Sequence, residues 1–493
     1  MRKNKLVVLL LLLVLGLALV LRLYRINIPV ADHHSWRQAD SASVIRNLAT
    51  DNFAVFHPQW DNLVATNLKR LPNPNRYFFE DFPLAYDVYP AVLYKIFGVQ
   101  ERLARFVSIA FSLGAIVFFF FLVKLLTDFK TAIFSAFFLA VLPFSIFYSR
   151  TLLQEPASLF YLIGSLYFLA LWSSFGEGLK RNCLFLFSAV FLALALLSKI
   201  YSLFYLPLFF YLFWQKDKWL LFKKKYFYLY FFMAVFPVLT WWAWIYQFPE
   251  GFPNSSWLLN EGNIRLKGAW FYWLFAERMG KIILGYWGLA LFAIGLILKP
   301  VREKRFFHLW FFCILLFFVV FAKGNVTHDY YQYCFLPVAT FFLAKGTSFL
   351  LTAPSKFFSR LTVYFFLPIC ILLMLAFSWY HVRDFYNIKG GVDVAGVAVQ
   401  EIVPENSLII AGDGSDPTLL YNTNRKGWAI GFGSLLDNNP ETVLSLKSQG
   451  AEYYVTTKAN EMKNSLFGKF MYENFVIIKE TNQYIIFSLA TNN

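Results

Sequence analysis

The feature that most constrains this chain is a recurring run of mainly apolar residues about 20 long, the length a helix needs to cross the hydrocarbon of a bilayer. Such runs lie near residues 6–23, 103–126, 131–148, 156–172, 183–198, 200–214, 226–246, 281–298, 306–322, 331–351 and 361–380. Lipid offers the backbone no hydrogen-bond partners, so unalternating runs of this length are expected to be helices. The expectation is a polytopic α-helical membrane protein with about eleven transmembrane helices. Composition agrees: 58% of the 493 residues are hydrophobic and only 15% are charged, which excludes a soluble enzyme, a disordered chain and a fibrous repeat. Arg2, Lys3 and Lys5 precede the first run as they would in a signal peptide. That run is long, lacks a small-residue cleavage site and is followed by many others, so a retained helix is expected.

The net charge of +16 would suit nucleic acid only if it clustered on one folded face. Instead the basic residues sit in short runs between apolar segments. With a cytoplasmic N-terminus, the inner segments hold 18 Lys and Arg, from Arg2 through Lys216, Lys223 and Arg302 to Lys356 and Arg360, against four acids. The first outer loop, 24–98, has seven of each sign, and the tail, 381–493, nine basic and twelve acidic. This bias is the positive-inside pattern. It predicts a multi-pass protein of the plasma (inner) membrane with a cytoplasmic N-terminus, surrounded by membrane lipids, and it needs no nucleic-acid partner.

Past residue 380 the apolar runs stop. Strand-like stretches at 407–411, 428–432, 452–456, 475–479 and 484–489 alternate with helical ones at 392–402, 440–448 and 459–467. The expected organisation is therefore a transmembrane domain over 1–380, including an outer loop 24–102, followed by a small extracytoplasmic α/β domain over 381–493. Gly412-Asp413-Gly414 lacks the ending of a phosphate loop and reads as a turn. Cys183, Cys313, Cys334 and Cys370 lie in or beside apolar runs without a C-x-x-C pair, supporting neither a disulfide framework nor a zinc site.

The chemistry-bearing stretch is Ala31-Asp32-His33-His34-Ser35-Trp36-Arg37-Gln38-Ala39-Asp40, just after the first span. Two carboxylates, two imidazoles and a guanidinium fall within nine residues of it. If residues 35–48 are helical, Asp32 sits at or just before the N-terminus, where a carboxylate is favoured; it is either a cap or part of a site. Further polar groups gather at the same membrane face: Arg150, Gln154 and Glu155; Lys199; and Lys323, His328, Asp329 and Tyr330. Ionisable groups at such depth are costly unless paired or facing a wet cavity, so they mark a site. Arg150 with Glu155 as a structural ion pair, and a snorkelling Lys199, are the alternatives. The loop 247–280 adds Trp257, Trp270 and Trp273 with Arg278 and Lys281, as an interfacial helix or as a gate for a lipid-linked sugar.

The nine residues from Asp32, with Glu80-Asp81-Phe82-Pro83-Leu84-Ala85-Tyr86, Tyr94-Lys95-Ile96-Phe97-Gly98 and Arg102-Leu103-Ala104-Arg105, resemble the first-loop region of the GT-C membrane glycosyltransferases. The likeness is to family 39, the polyprenyl-phosphate-mannose protein mannosyltransferase type, and to relatives that add aminoarabinose or galacturonate to lipid A. Phe147-Tyr148-Ser149-Arg150 with Glu155-Pro156, and His328-Asp329-Tyr330-Tyr331 with Pro337, resemble the later outer loops of that family. The resemblance implies transfer, with inversion, of a sugar from a polyprenyl-phosphate donor to an acceptor hydroxyl of unknown identity on the outer face. It makes Asp32 the base. Many relatives follow that acid with a second one where this chain has His33, which leaves a divalent cation open. Transfer chemistry needs a base for the acceptor proton and cations for the departing phosphate. Arg37, Lys199 and His328 are the expected phosphate contacts, Glu155 orients the acceptor or a cation, and Asp40 and Tyr330 support the site. The rival expectation is a transporter or flippase of lipid-linked sugars; such proteins place their polar residues near the midplane and in two related halves, neither of which is evident here.

Overall fold

The computed structural model describes residues 2–64, 73–352, 359–431 and 438–491. Lys356 and the end of the predicted strand 428–432, at Phe432, lie outside the described residues. The chain folds into two compact units: Met1–Ile26, Arg105–Trp244 and Ser255–Asp384 form the first, and Asn27–Ala104, Ile245–Asn254 and Phe385–Asn493 the second. The second unit thus combines the first loop with the tail.

Among the described residues, seven helices are long and apolar enough to cross a membrane: Lys5–Arg22, Glu101–Leu126, Glu155–Ser174, Leu179–Ser198, Lys225–Ile245, Asp329–Thr352 and Arg360–Tyr386. The count rises to eight if Gly268–Ile283 and Gly288–Ile297, bent by 113°, make one broken span. The protein is a multi-pass membrane protein. The difference from eleven has local causes. The run 131–148 divides into Phe129–Val141 and Pro143–Tyr148 because Pro143 brings no N–H to continue the ladder. The run 200–214 opens as a 3₁₀ segment, Ile200–Tyr205, before the 12-residue helix Leu206–Asp217. The apolar helix Phe306–Val320 is only 15 residues long. The bend in the broken pair falls at Gly285, whose φ is +50° and where a Cβ would lie 2.1 Å from the Met374 carbonyl oxygen.

The break at Pro143 frees carbonyls that have no water to bond. Arg22, fully buried at the end of the first span, satisfies them. Its Nη1 donates to Ala140 O at 2.8 Å and its Nη2 to Leu139 O at 3.3 Å, while Ser145 Oγ donates to Leu139 O at 2.7 Å. Arg22 Nε donates to Ser112 Oγ at 3.2 Å, tying in a third helix. A cation at a helix C-terminus is also favoured by the dipole.

In the second unit the tail forms a five-stranded sheet of β1 (Leu408–Ala411), β2 (Lys426–Ala429), β3 (Ala451–Thr456), β4 (Phe475–Glu480) and β5 (Ile485–Thr491), in the order β2-β1-β3-β5-β4. β1 runs parallel to β2 and β3, and β5 antiparallel to β3 and β4. Period-2 alternation sends Ile409, Val455 and Ile486 to one face, against Val399 and Leu420. Ile410, Tyr454 and Phe487 meet Val443, Leu446 and Met471 on the other. The sheet is therefore covered by helices on both faces. The predicted helices 392–402 and 440–448 are present as Val392–Ile402 and Pro440–Ser448, whereas 459–467 divides into Ala459–Lys463 and Leu466–Asn474. Ser465 caps the second piece, accepting from Gly468 N at 2.9 Å. The first loop covers the edge of β2: Leu63 N donates to Gly427 O at 2.7 Å and Gly427 N to Asp61 O at 3.1 Å. At the turn after β1, Gly412 N and Gly414 N donate to Val455 O and Ile430 O. Those amides are spent on the sheet, as a turn requires.

Replacing Arg22 with Met should lower stability by roughly 1–3 kcal/mol, the cost of stranding a buried acceptor, with Arg22→Lys retaining part of it. Thermal unfolding in detergent measures this; an unchanged transition in Arg22→Met would contradict the capping role.

Candidate active site

In the second unit the helix Ser35–Thr50 starts where the sequence expects a helix. Its N-cap position is occupied by His34, in left-handed backbone with φ 53° and no side-chain cap bond. Asp32 is therefore not a cap. Its buried carboxylate accepts from Gln38 Nε2 at 2.7 Å, one helical turn further on. A second hydrogen bond, Gln38 Nε2 to His33 O at 3.0 Å, fixes that amide and with it the carboxylate. His33 stacks on Phe385 with ring centroids 3.9 Å apart, and its N–H donates to Phe385 O.

Arg37 and Asp40 follow on the same helix, both buried. The Arg37 guanidinium hydrogen-bonds Asp81, lies 3.9 Å from Glu80 and rests over the Phe78 ring. Glu80-Asp81 thus anchors this arginine. Asp40 Oδ1 is buried and has no hydrogen-bond partner among the described residues. Burial pushes the Asp40 carboxyl well above the usual carboxylate range; Arg37 opposes this, while Glu80, Asp416 and Asp81 add to it.

In the first unit, Glu155 begins the helix Glu155–Ser174, where the helix dipole favours a carboxylate. It lies 3.2 Å from Lys199 Nζ, and both side chains are shielded from solvent. Glu155 forms its ion pair with Lys199, while Arg150 Nη1 donates to Arg25 O at 3.3 Å. Lys199 is the residue between Leu179–Ser198 and the 3₁₀ segment that follows, so a break in the helix delivers its amine to the carboxylate. Lys199 is therefore inside the unit, not snorkelling.

A second cluster forms at another helix break, between Phe306–Val320 and Leu336–Thr352. The fully buried Asp329 accepts a hydrogen bond from Tyr148 and lies 3.5 Å from Arg278. Arg278 in turn rests over the Trp273 ring. The His328 ring stacks with Tyr330 at 5.2 Å and meets the edge of Trp257 at 5.4 Å. Trp270 is buried, its Nε1 donating to Phe318 O at 3.3 Å. The tryptophans of loop 247–280 are thus a buried anchor and two partners of polar residues.

Gln38, Asp81, Tyr148 and Arg278 are supporting groups for which the sequence alone indicates no role at the site. Glu80-Asp81 was legible as an acidic pair, but its partner across 44 residues was not.

Residues 81–244 match the family model described as dolichyl-phosphate-mannose-protein mannosyltransferase. No curated protein matches by sequence. Among solved structures, ArnT from Cupriavidus metallidurans bound to undecaprenyl phosphate is similar at TM-score 0.66 and 13% identity, covering 97% of this chain and 98% of that one. The oligosaccharyltransferase AglB from Archaeoglobus fulgidus, in complex with an inhibitory peptide and a dolichol-phosphate, follows at TM-score 0.62 and 11% identity, covering 98% of this chain and 74% of that one. The chain has the fold of the GT-C membrane glycosyltransferases. The GT-C-like fold runs through both units, and the polar residues of the first unit stand at the ends and breaks of its helices.

Two outcomes follow from the buried charges. Lys199→Met strands a buried Glu155 and should cost roughly 3–5 kcal/mol, most of it recovered when Glu155→Gln is added; thermal unfolding of the single and double variants measures the difference. For Asp40, the raised folded carboxyl binds its proton more tightly than the unfolded one. Its stabilisation is present below the ordinary carboxylate range and is lost as pH rises through the raised value. Asp40→Asn should therefore flatten the fall in unfolding temperature above about pH 4, and an equally steep fall in the variant would contradict this.

Proposed function

We propose that this chain is an integral membrane glycosyltransferase that moves a sugar from a polyprenyl-phosphate donor to a hydroxyl acceptor on the outer face of the membrane, with inversion. The observation that carries this reading is the likeness, over nearly the whole of both chains, to a solved protein bound to undecaprenyl phosphate. The match of residues 81–244 to a mannosyltransferase family model supports it.

In the proposed step the acceptor oxygen attacks the anomeric carbon from the side opposite the phosphate. The bond between that carbon and the phosphate oxygen breaks, and the acceptor proton passes to Asp32. The products are the glycosylated acceptor and the polyprenyl phosphate, whose added negative charge Lys199 and His328 receive. Proton removal by a positioned carboxylate and charge stabilisation by fixed cations are the two terms a group transfer of this kind needs. Glu155 holds the Lys199 amine in place and orients the acceptor or a cation. Arg37, engaged by Asp81, acts as a positioning residue for the helix that carries Asp40, and Tyr330 supports His328. The bias of Lys and Arg toward alternate loops supports a cytoplasmic N-terminus and an outer tail.

Purified protein in nanodiscs, supplied with labelled polyprenyl-phosphate sugars, tests the proposal. Release or transfer of sugar should fall about 10²–10⁴-fold in Asp32→Asn while the protein stays folded, and a parallel EDTA-treated sample shows whether a divalent cation takes part. Activity within about threefold of wild type in Asp32→Asn would remove the base assignment, and movement of the lipid across the bilayer without any transfer would favour a flippase.

A further inference from the structure

A cavity of about 770 Å³ in the second unit contains none of the residues assigned to transfer and is lined from within that unit alone. Its size is that of a small-molecule site, but such sites are usually mostly apolar. This one is not: Val99 is its single aliphatic lining residue among the described residues. Seven side-chain amides line it, Asn27, Asn47 and Asn406 among them.

Charge narrows the ligand class. The lining holds four cations, Arg46, Arg102, Arg425 and Lys426, and four anions, Asp51, Asp61, Glu101 and Glu405. A phosphate or nucleic-acid site would carry a clear positive excess. Equal charges, many amides and almost no hydrocarbon instead offer donors and acceptors in many directions without a net field. That is the complement of a neutral ligand covered in hydroxyl groups.

Several of these groups are held in place before any ligand arrives. Arg46 hydrogen-bonds Asp61, its guanidinium lies 4.5 Å from the Tyr421 ring centroid, and Asn47 Nδ2 donates to Asp61 Oδ1 at 3.1 Å. Arg102 Nε donates to Gln100 Oε1 at 2.8 Å, and Lys426 Nζ lies 3.3 Å from Asp51. Desolvating a pair such as Arg46 and Asp61 costs about what their attraction returns, so stability alone does not account for it. Fixed polar groups lower the ordering cost of binding.

We propose that this cavity is a saccharide-binding site that takes a neutral glycan, separate from the groups assigned to transfer. The inference does not depend on the proposed reaction, because binding is read directly.

The test is isothermal titration calorimetry on the full chain in nanodiscs with four neutral tetrasaccharides, maltotetraose, cellotetraose, xylotetraose and chitotetraose, and with tetragalacturonate as the charged control. Asn27 and Asn406, both exposed, allow the cavity to be filled by Asn27→Trp and Asn406→Trp without disturbing a buried contact; thermal unfolding confirms that each variant is folded. At least one neutral tetrasaccharide should bind with a millimolar or tighter Kd, weaken at least about tenfold in both variants, and bind unchanged in Asp32→Asn. No binding of any neutral sugar, tighter binding of tetragalacturonate, or affinity unaltered in both filled variants would overturn the proposal. Loss of transfer in Asp32→Asn with glycan binding intact separates the two readings.

Discussion

Inside a bilayer every carbonyl freed by a broken helix must find a donor within the protein, and in this chain that requirement falls on Arg22. Its guanidinium bonds the carbonyls left open before Pro143 and reaches Ser112 on another helix. The break it stabilises lets the chain turn at Tyr148 and Arg150 and begin a new helix at Glu155. The other polar groups of the first unit also sit where helices stop: Lys199 before a 3₁₀ segment, and His328 and Asp329 before Leu336–Thr352. Helix breaks are thus the means by which a largely apolar unit brings charge inside, and the ion pairs at those breaks keep the cost tolerable.

The second unit adds buried charge to an apolar core, for its first loop already buries Val44, Ile45, Leu48, Trp60, Phe78 and Phe79. Two buried charge pairs, Arg37 with Asp81 and Arg46 with Asp61, fix the geometry of its helix without adding much net stability. Arg46 also donates to Tyr421 O at 3.1 Å, and Thr418 Oγ1 bonds Ser35 Oγ at 2.9 Å, so the helix bearing Asp40 is fixed to the tail. The Gln38 hydrogen bond to Asp32 depends on this helix being held in register.

Much of this was legible in the sequence where a single period decides the outcome. Four strands of the tail and the helices Val392–Ile402 and Pro440–Ser448 fall where alternation and turn residues place them, whereas the strand expected over 428–432 lies at Lys426–Ala429. The helical membrane class follows from run length alone. The number of full spans did not follow, because hydropathy sees the apolar run 131–148 but not the missing N–H of Pro143 as the end of one helix and the start of another. The pairings within the sites were hidden for a related reason. Nothing local to Arg37 announces Asp81, and nothing local to Asp329 announces Tyr148, 181 residues away. Spacing offered Arg150 as one possible partner of Glu155; the contact with Lys199 is set by a helix break and not by sequence distance.

Under the proposed function, Lys199 of the first unit receives the phosphate of a lipid-linked donor. A cryo-electron microscopy structure of the chain in nanodiscs with added undecaprenyl phosphate tests it most directly. The account predicts phosphate density within about 3 Å of Lys199 Nζ, the length of a charge-assisted hydrogen bond. Phosphate density bound elsewhere with Lys199 untouched, or no bound lipid phosphate at saturating concentration, would contradict it.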